Sequence, residues 1–524
     1  MPRDAAAIGA GLAAARDARA ITRGERIHVM GIAGAGASAA AMLAHAAGAD
    51  VSGCDPGGPS PYSLAVEAVG IRVAWGHDPD HAGAGSPQGK GIAGIGEWPR
   101  PDRLAVTKAL TAIDPDHPEL VAARAAGISV EPWQQVVADA ATGRRLVAIA
   151  GTHGKSTTSG WLVDLLVTAG ADPSAFVGAL LPGRVTGGPP ATARIGAGEA
   201  FVVEADEYAG NFDAYRADVA VLTSAEWDHP DVFADEAAVV DTFARWIVRG
   251  PADGTVVLNV GDVGVRALVA AVGGRRRVIR YLLVPDVPDP HDAPAADLIG
   301  RVVASEPDGT VLEIHGVAAD GGALTVRLRT AGRHNAANAL AVAGAAIALG
   351  VAPAAIVSGL EGFDGVGRRL ERKGEVAGVV VYDDYGHHPT AIRETIAATR
   401  QREPARRVWA VYEPLTYHRT AALLEGFAAA LATADAVAIA DIWAGRDPDT
   451  TIASAAGLAE AVARHGVSGP VAAPGNVLAT ADWLADTVRA GDAVLVMGGG
   501  HSYRIGDRLL ERLQERLGGT SHGS

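Results

Sequence analysis

Gly151-Thr152-His153-Gly154-Lys155-Ser156-Thr157 carries the residue types that grip the phosphates of a nucleotide. Glycines let backbone N–H groups approach an anion closely. A lysine reaches the outer phosphates, and a serine hydroxyl suits Mg2+. Apolar Leu146 to Ala150 ahead of this run reads as a buried strand. Behind it, Trp161, Leu162, Leu165 and Leu166 recur at helical spacing. Strand, glycine loop and helix together predict a phosphate-binding loop rather than an incidental turn. The short pattern A-G-T-x-G-K-[ST] fits throughout, whereas the longer one asks for glycine where Ile149 stands.

Carboxylates near such a loop have a use, since they hold Mg2+ against the phosphate charge. The apolar run Phe201 to Val203 ends in Glu204-Ala205-Asp206-Glu207. Ala217 to Leu222 ends in a polar run that closes with Asp228 and His229. Glu204 is the better candidate ligand, and His229 a second one through its imidazole. Asn335 and Asn338, three apart at the start of an Ala-rich helix, share a face. Their amides offer both donor and acceptor to the edge of adenine. Asp383-Asp384-Tyr385-Gly386-His387-His388-Pro389 places two acids, a tyrosine and two histidines at a strand-to-helix turn. Such a constellation reads as a site rather than as packing. Gly31-Ile32-Ala33-Gly34-Ala35-Gly36 follows the strand Arg26 to Met30 in a Rossmann-like manner, and suits NAD, a nucleotide sugar or neither.

The elements that position these groups alternate strand and helix, so the fold class is α/β. A chain of 524 residues, 48% hydrophobic, fills roughly three or four cores. We expect a Rossmann-like N-terminal domain over 1–144, a central P-loop ATPase-like domain with a parallel sheet over 145–362, and a C-terminal Rossmann-like α/β domain over 363–524. Residues 1–24 read as a helical or loose arm. Leu104 to Leu110 and Ile128 to Pro132 are expected strands, as is the run Gly374 to Val381. Three short strands between 302 and 328 predict an antiparallel add-on. Arg275 to Arg277 reads as a solvated face, the prolines of 285–294 as an irregular stretch, and 518–524 as a loose tail. Gly362 to Arg372, which includes Arg368 and Arg369, makes a natural hinge. The net charge of −15 argues against nonspecific binding to nucleic acid or to an acidic membrane. The single cysteine, Cys54, excludes an internal disulfide framework and a Cys-cluster metal site. No stretch reads as a secretory signal or a membrane span, so a soluble cytoplasmic enzyme is expected.

From Arg26 to Leu517 the chain resembles the Mur ligases. The residues that carry this are GIAGAGAS (31–38), AGTHGKSTT (150–158), EADEY (204–208), EWDH (226–229), GRHNAANAL (332–340), GVGRRLE (365–371), DDYGHHP (383–389), Tyr417-His418-Arg419-Thr420, and VLVMGGG (494–500). The resemblance implies an ATP-dependent, ADP-forming amide ligase with Mg2+ as cofactor. It would join L-alanine to the carboxylate of UDP-N-acetylmuramate, or alternatively a recycled murein tripeptide. It implies small-molecule partners only, in a monomer or homodimer. It places the sugar nucleotide's diphosphate at Gly34, Ala35, Gly36, Ala37 and Ser38, and the ATP phosphates at 151–157. Ser156, Glu204 and His229 become metal ligands, and His334, Asn335 and Asn338 adenine contacts. Arg368, Asp384, His387, His388 and Arg419 would face the closed site, with His387 or His388 as base. This sequence departs from the pattern at Ser156, Ser224, Tyr208-Ala209, Glu413 to Thr416 and Trp443 to Arg446.

Overall fold

The computed structural model describes residues 5–82, 99–272, 274, 276–284, 295–318, 321–445, 447 and 449–520. Arg275, Arg446, the prolines of 285–294 and the tail 521–524 lie outside them, as does all of 83–98. The described residues build three sheets, each sandwiched by helices.

The first sheet has five parallel strands, in the order Arg72–Ala74, Asp50–Cys54, Arg26–Met30, Arg103–Val106, Ser129–Pro132. The chain reverses its direction of winding beside Arg26–Met30, where an open α/β sheet leaves a crevice for ligands. The glycine turn and the helix Ala35–Ala46 open there. Leu104 to Leu110 is not one strand. Thr107 ends the strand and its Oγ1 accepts from Ala109 N at 3.2 Å, capping the helix Lys108–Ile113. The N-terminal arm forms a helix at Ala5–Ile8 and then runs extended over the sheet. Arg16 ties it down, reaching Asp139 at 2.6 Å and Glu131 at 3.4 Å.

The second sheet has ten strands: Leu324–Leu328, Gly309–His315, Leu298–Glu306, Arg277–Leu283, Thr255–Asn259, Val219–Leu222, Arg145–Ala150, Ala200–Glu204, Ser174–Leu181, Ala191–Arg194. The three middle strands that matter most, Val219–Leu222, Arg145–Ala150 and Ala200–Glu204, are adjacent and parallel. Their near-continuous apolar runs are what a strand covered on both faces requires. The expected antiparallel add-on is present, as a continuation of this sheet's edge. Arg276 is not on a solvated face; it donates to the carbonyls of Ile247 and Ala217 at 2.9 and 2.7 Å.

The third sheet runs Glu371–Val376, Val379–Asp384, Asp492–Met497, Arg407–Tyr412, Ala436–Ala440, Val471–Gly475. The single strand expected over Gly374 to Val381 is a hairpin, turned by Ala377 and Gly378 at φ +54° and +76°. The strand Val471–Gly475 and the helix Val477–Thr487 were not anticipated. Residues 518–520 finish the last helix instead of leaving it.

One apolar core crosses from the first sheet to the second. Ile27, Val29, Ala40 and Val137 pack in the same cluster as Ala148, Val203 and Leu222. Trp133 meets Phe176 edge-on at 5.1 Å between ring centres. The third sheet has its own cores on its two faces.

Candidate active site

The glycine loop leaves the carboxyl end of the middle strand Arg145–Ala150, and Glu204 ends the strand beside it. Gly154 caps the helix Lys155–Thr168 at φ +80°, a conformation an L side chain rarely takes. A Cβ there would also overlap Asn338 Oδ1. The loop is thus wedged against the helix Arg333–Ala348. Ser156 Oγ donates to Glu204 Oε1 at 3.0 Å, and Glu204 Oε2 accepts from Gly178 N at 2.7 Å. Lys155 Nζ donates to Gly151 O at 2.7 Å and to Glu207 Oε2 at 3.0 Å, with Asp206 at 3.9 Å. Burial would lower the Lys155 pKa, but Glu207, Asp206 and Glu204 outweigh it and raise it. Burial lifts Glu207 to about 7 despite the ammonium beside it.

His229 sits at φ +53° and groups with Asp206 and Glu207, one ligand-type atom of each lying within 4.8 Å of the others. Its Nδ1 accepts from Arg419 Nη2 at 3.0 Å, while Arg419 Nε donates to Asp228 Oδ1 at 2.8 Å. That pair is buried. Burial would raise the Asp228 pKa; the guanidinium and nearby histidines hold it well below the usual range. The hard oxygens of Ser156 and Glu204 fit Mg2+. His229 groups instead with Asp206 and Glu207. Its group lies beside the Lys155 ammonium, where a second divalent ion was expected to take His229.

The third sheet delivers its loops to the same spot. Arg369 Nη2 donates to Ser156 Oγ at 2.9 Å. Arg368, the expected nucleotide contact, also lines the cleft, but its guanidinium is held by Asp383 at 3.1 Å and donates to Gly498 O and Ser502 Oγ. Asp384 accepts from Leu370 N at 2.8 Å and Gly386 N at 2.7 Å. Its oxygens therefore shape the arginine turn and do not project into the site. Both His388 nitrogens are engaged. Nδ1 accepts from Thr390 N at 3.3 Å as a helix cap, and Nε2 donates to Trp227 O at 3.2 Å. Burial, then His153, push its pKa down to about 4. His387 donates from Nδ1 to Tyr385 O at 2.9 Å, which leaves the Nε2 lone pair for a proton. Burial and then Arg419 hold its pKa well below the ordinary value.

Asn335 and Asn338 bond to each other at 3.2 Å, and Asn335 also donates to Ala331 O at 2.8 Å. His334 lies 3.8 Å from Glu394 of the third domain. Of the five predicted diphosphate residues, Gly34 and Ala35 line a cleft of about 1410 Å3 between the three sheets. Gly36 lies under the Trp133 ring, Ala37 is buried, and Ser38 Oγ bonds to Thr192 Oγ1 at 3.0 Å. Ser38 thus joins the first two sheets and does not face the cleft. Arg184, Arg329, Arg369 and Arg504 also line it together with acids such as Asp308, Asp364 and Asp507, and guanidinium groups suit phosphates. Sequence reasoning passed over Arg369 and Glu226. Glu226 Oε2 accepts from Thr390 Oγ1 at 2.7 Å and faces His153 Nε2 at 3.3 Å. The only signal was their place inside the GVGRRLE and EWDH runs.

Residues 26–145 match the domain described as Mur ligase family, catalytic domain; 149–346 match the Mur ligase middle domain; 368–500 match the Mur ligase glutamate ligase domain. The chain belongs to the Mur ligase family. Among curated relatives of this Mur ligase is UDP-N-acetylmuramate–L-alanine ligase of Kineococcus radiotolerans. It is 38% identical over 498 residues, 95% of this chain and 98% of the relative. The protein of that name from Mycolicibacterium gilvum is 37% identical over 499 residues, 94% of this chain and 97% of the relative. In fold, the Mur ligase chain resembles UDP-N-acetylmuramate-alanine ligase from Thermotoga maritima, at TM-score 0.73 and 21% identity over 94% of this chain and 99% of that one. It also resembles a murein peptide ligase from Psychrobacter arcticus, at 0.67 and 23%, with the same shares covered. No helix among the described residues is long and apolar enough to cross a membrane.

Proposed function

We propose that this Mur ligase joins L-alanine to the carboxylate of UDP-N-acetylmuramate, forming ADP and phosphate from ATP. The observation that carries the reading is convergence. Lys155, Ser156 and Glu204 of the central domain meet Arg369, His387 and Arg419 of the third, and Arg369 also lines the cleft between the sheets. We assign the UDP-sugar to 1–144, ATP to 145–362 and the amine to 363–524. The reading is of a cytoplasmic enzyme, acting as monomer or homodimer on small molecules alone.

A carboxylate is a poor electrophile because its leaving group would be oxide. Transfer of the ATP γ-phosphoryl to one carboxylate oxygen gives an acyl phosphate and ADP, and the leaving group becomes phosphate. Lys155 stabilises the phosphoryl charge as it moves. To do so it must leave Glu207, whose carboxyl near pH 7 can take a proton as the ammonium turns away. Ser156 and Glu204 would hold Mg2+, which supplies charge neutralisation on the phosphates. The amine nitrogen attacks the acyl carbon, His387 Nε2 accepts the ammonium proton, and the C–O bond to phosphate breaks. The third domain covers the cleft and limits hydrolysis of the acyl phosphate.

Phosphate release should be measured with ATP, UDP-N-acetylmuramate and each amino acid in turn, and with L-alanyl-γ-D-glutamyl-meso-diaminopimelate. Release that depends on L-alanine supports the reading. Release with the tripeptide and not with L-alanine would assign the recycling reaction, and release with neither would end both.

A further inference from the structure

Beneath the glycine turn of the first domain lies a cluster that this reaction does not use. His28 and Cys54 project from adjacent parallel strands, Arg26–Met30 and Asp50–Cys54. His81, on the 3-10 turn Pro79–Ala82, and Glu119, in the helix Pro118–Ala125, close on them from the side. All four residues are buried, at 0–1% exposure. One ligand-type atom from each lies within 4.8 Å of all the others. His28 Nε2 is 3.3 Å from Cys54 Sγ and 3.3 Å from Glu119 Oε1. Cys54 Sγ is 3.4 Å from Glu119 Oε1, and His81 Nδ1 is 3.3 Å from the same oxygen. At usual Zn–N, Zn–O and Zn–S lengths, the edges of a zinc tetrahedron are about 3.3–3.6 Å. Most of these separations already match them.

We propose that His28, Cys54, His81 and Glu119 form a structural zinc site. The donor set selects the metal. A thiolate with two imidazoles and one carboxylate suits Zn2+ and not Mg2+ or Ca2+. Charge points the same way, since Zn2+ with one thiolate and one carboxylate makes a neutral set in a buried place. On binding, the Cys54 thiol loses its proton to solvent, and nothing is oxidised or reduced. His28 has the outer support that ligating histidines show: Nδ1 lies 2.9 Å from Ser52 Oγ, which turns Nε2 toward the cluster. His77 stands at the mouth, less buried, with Nδ1 3.2 Å from Cys54 Sγ and 3.4 Å from Glu119 Oε2. It gives an entering ion a first ligand. The site would brace the glycine turn from below. Cys54 O accepts from Gly31 N at 2.8 Å and Ile32 N at 3.2 Å, and the next carboxylate, Asp55, accepts from Ala33 N at 3.1 Å. A single cysteine excludes a site made of several, but not this mixed one.

The full chain should be grown with zinc, stripped of loosely held metal by brief EDTA treatment and gel filtration, and assayed for metal by mass spectrometry. About one zinc per chain is expected. Exchange with Co2+ alone should give thiolate-to-cobalt charge-transfer absorption. That band should vanish in Cys54→Ser and remain in His77→Ala and in Glu204→Gln, which removes a nucleotide-site carboxylate. His81→Ala should lose the zinc while keeping its circular dichroism. Wild-type protein with neither stoichiometric zinc nor a cobalt band overturns the proposal and leaves a hydrogen-bonded cluster. A band that survives Cys54→Ser, or is lost with His77 and not His81, overturns the ligand assignment.

Discussion

Lys155 rests on the Glu207 carboxylate at 3.0 Å. Removing its ammonium leaves Glu207 buried alone, but a carboxyl with a pKa of about 7 can stay protonated there. Lys155→Ala should therefore fold, with a melting temperature near that of the wild type, yet lose roughly 10³-fold or more in kcat. Normal turnover in that variant would remove the phosphate loop from the chemistry. His388 gives a second test. Its folded pKa is about 4 against an ordinary 6.5, so below pH 6.5 the unfolded chain binds the proton and the folded one does not. Stability from this group is whole above pH 6.5 and falls as pH drops toward 4, by roughly 3 kcal/mol when complete. His388→Asn keeps a cap acceptor without the titration. Its melting temperature relative to wild type should rise steadily from pH 7 to pH 4.5; a constant difference would show that His388 is not buried neutral. The residue types of the site were legible because strands ending in acids and histidines are conspicuous. Their pairings were not. Nothing in Arg368-Arg369 tells which guanidinium turns inward, since φ +58° at Arg368 and the Asp384 carboxylate set that turn from a distance.

At the scale of elements, the loop and the helix Arg333–Ala348 form one wedge. Gly154→Ala would force a side chain into φ +80°, at about 1–2 kcal/mol, and push Asn338 aside. The expected result is a melting temperature lowered by a few degrees and ADP affinity weakened about tenfold or more in titration calorimetry. Unchanged ADP binding would mean that the wedge does not hold the nucleotide. Most central strands could be read from their apolar runs alone, because burial on both faces leaves an unbroken signal. Val471–Gly475 could not. It is an edge strand of Val-Ala-Ala-Pro-Gly, with a proline and a glycine that mimic a turn. The hairpin at Ala377-Gly378 hid for a different reason: valines on both sides of the turn gave one apparent run.

Across the whole molecule, the third domain is docked mainly by charged and polar contacts and keeps its own cores, save that Phe363 stacks on Trp161 and Val366 packs in the central core. Arg419 with Asp228 is the buried one. Arg419→Met would leave the Asp228 charge unpaired at a cost of about 3–5 kcal/mol, more than such a dock can lose. Small-angle scattering should then show a larger radius of gyration, while the third domain keeps its circular dichroism. An unchanged radius would place the docking energy elsewhere. Sequence could mark where each sheet begins, but not which neighbours are welded. A break near residue 144 looks like one near 363, because packing across a boundary leaves no local trace. Yet Phe176, Ala191 and Ala193 complete the wall on which the first sheet's helices lie. The first two bodies cannot then be traded separately between relatives without recutting that wall. A chimera that exchanges everything after residue 367 disturbs little apolar surface, because Phe363 and Val366 then stay with the central core. The third body is thus structurally easy to exchange, whereas the first two are inherited as a pair.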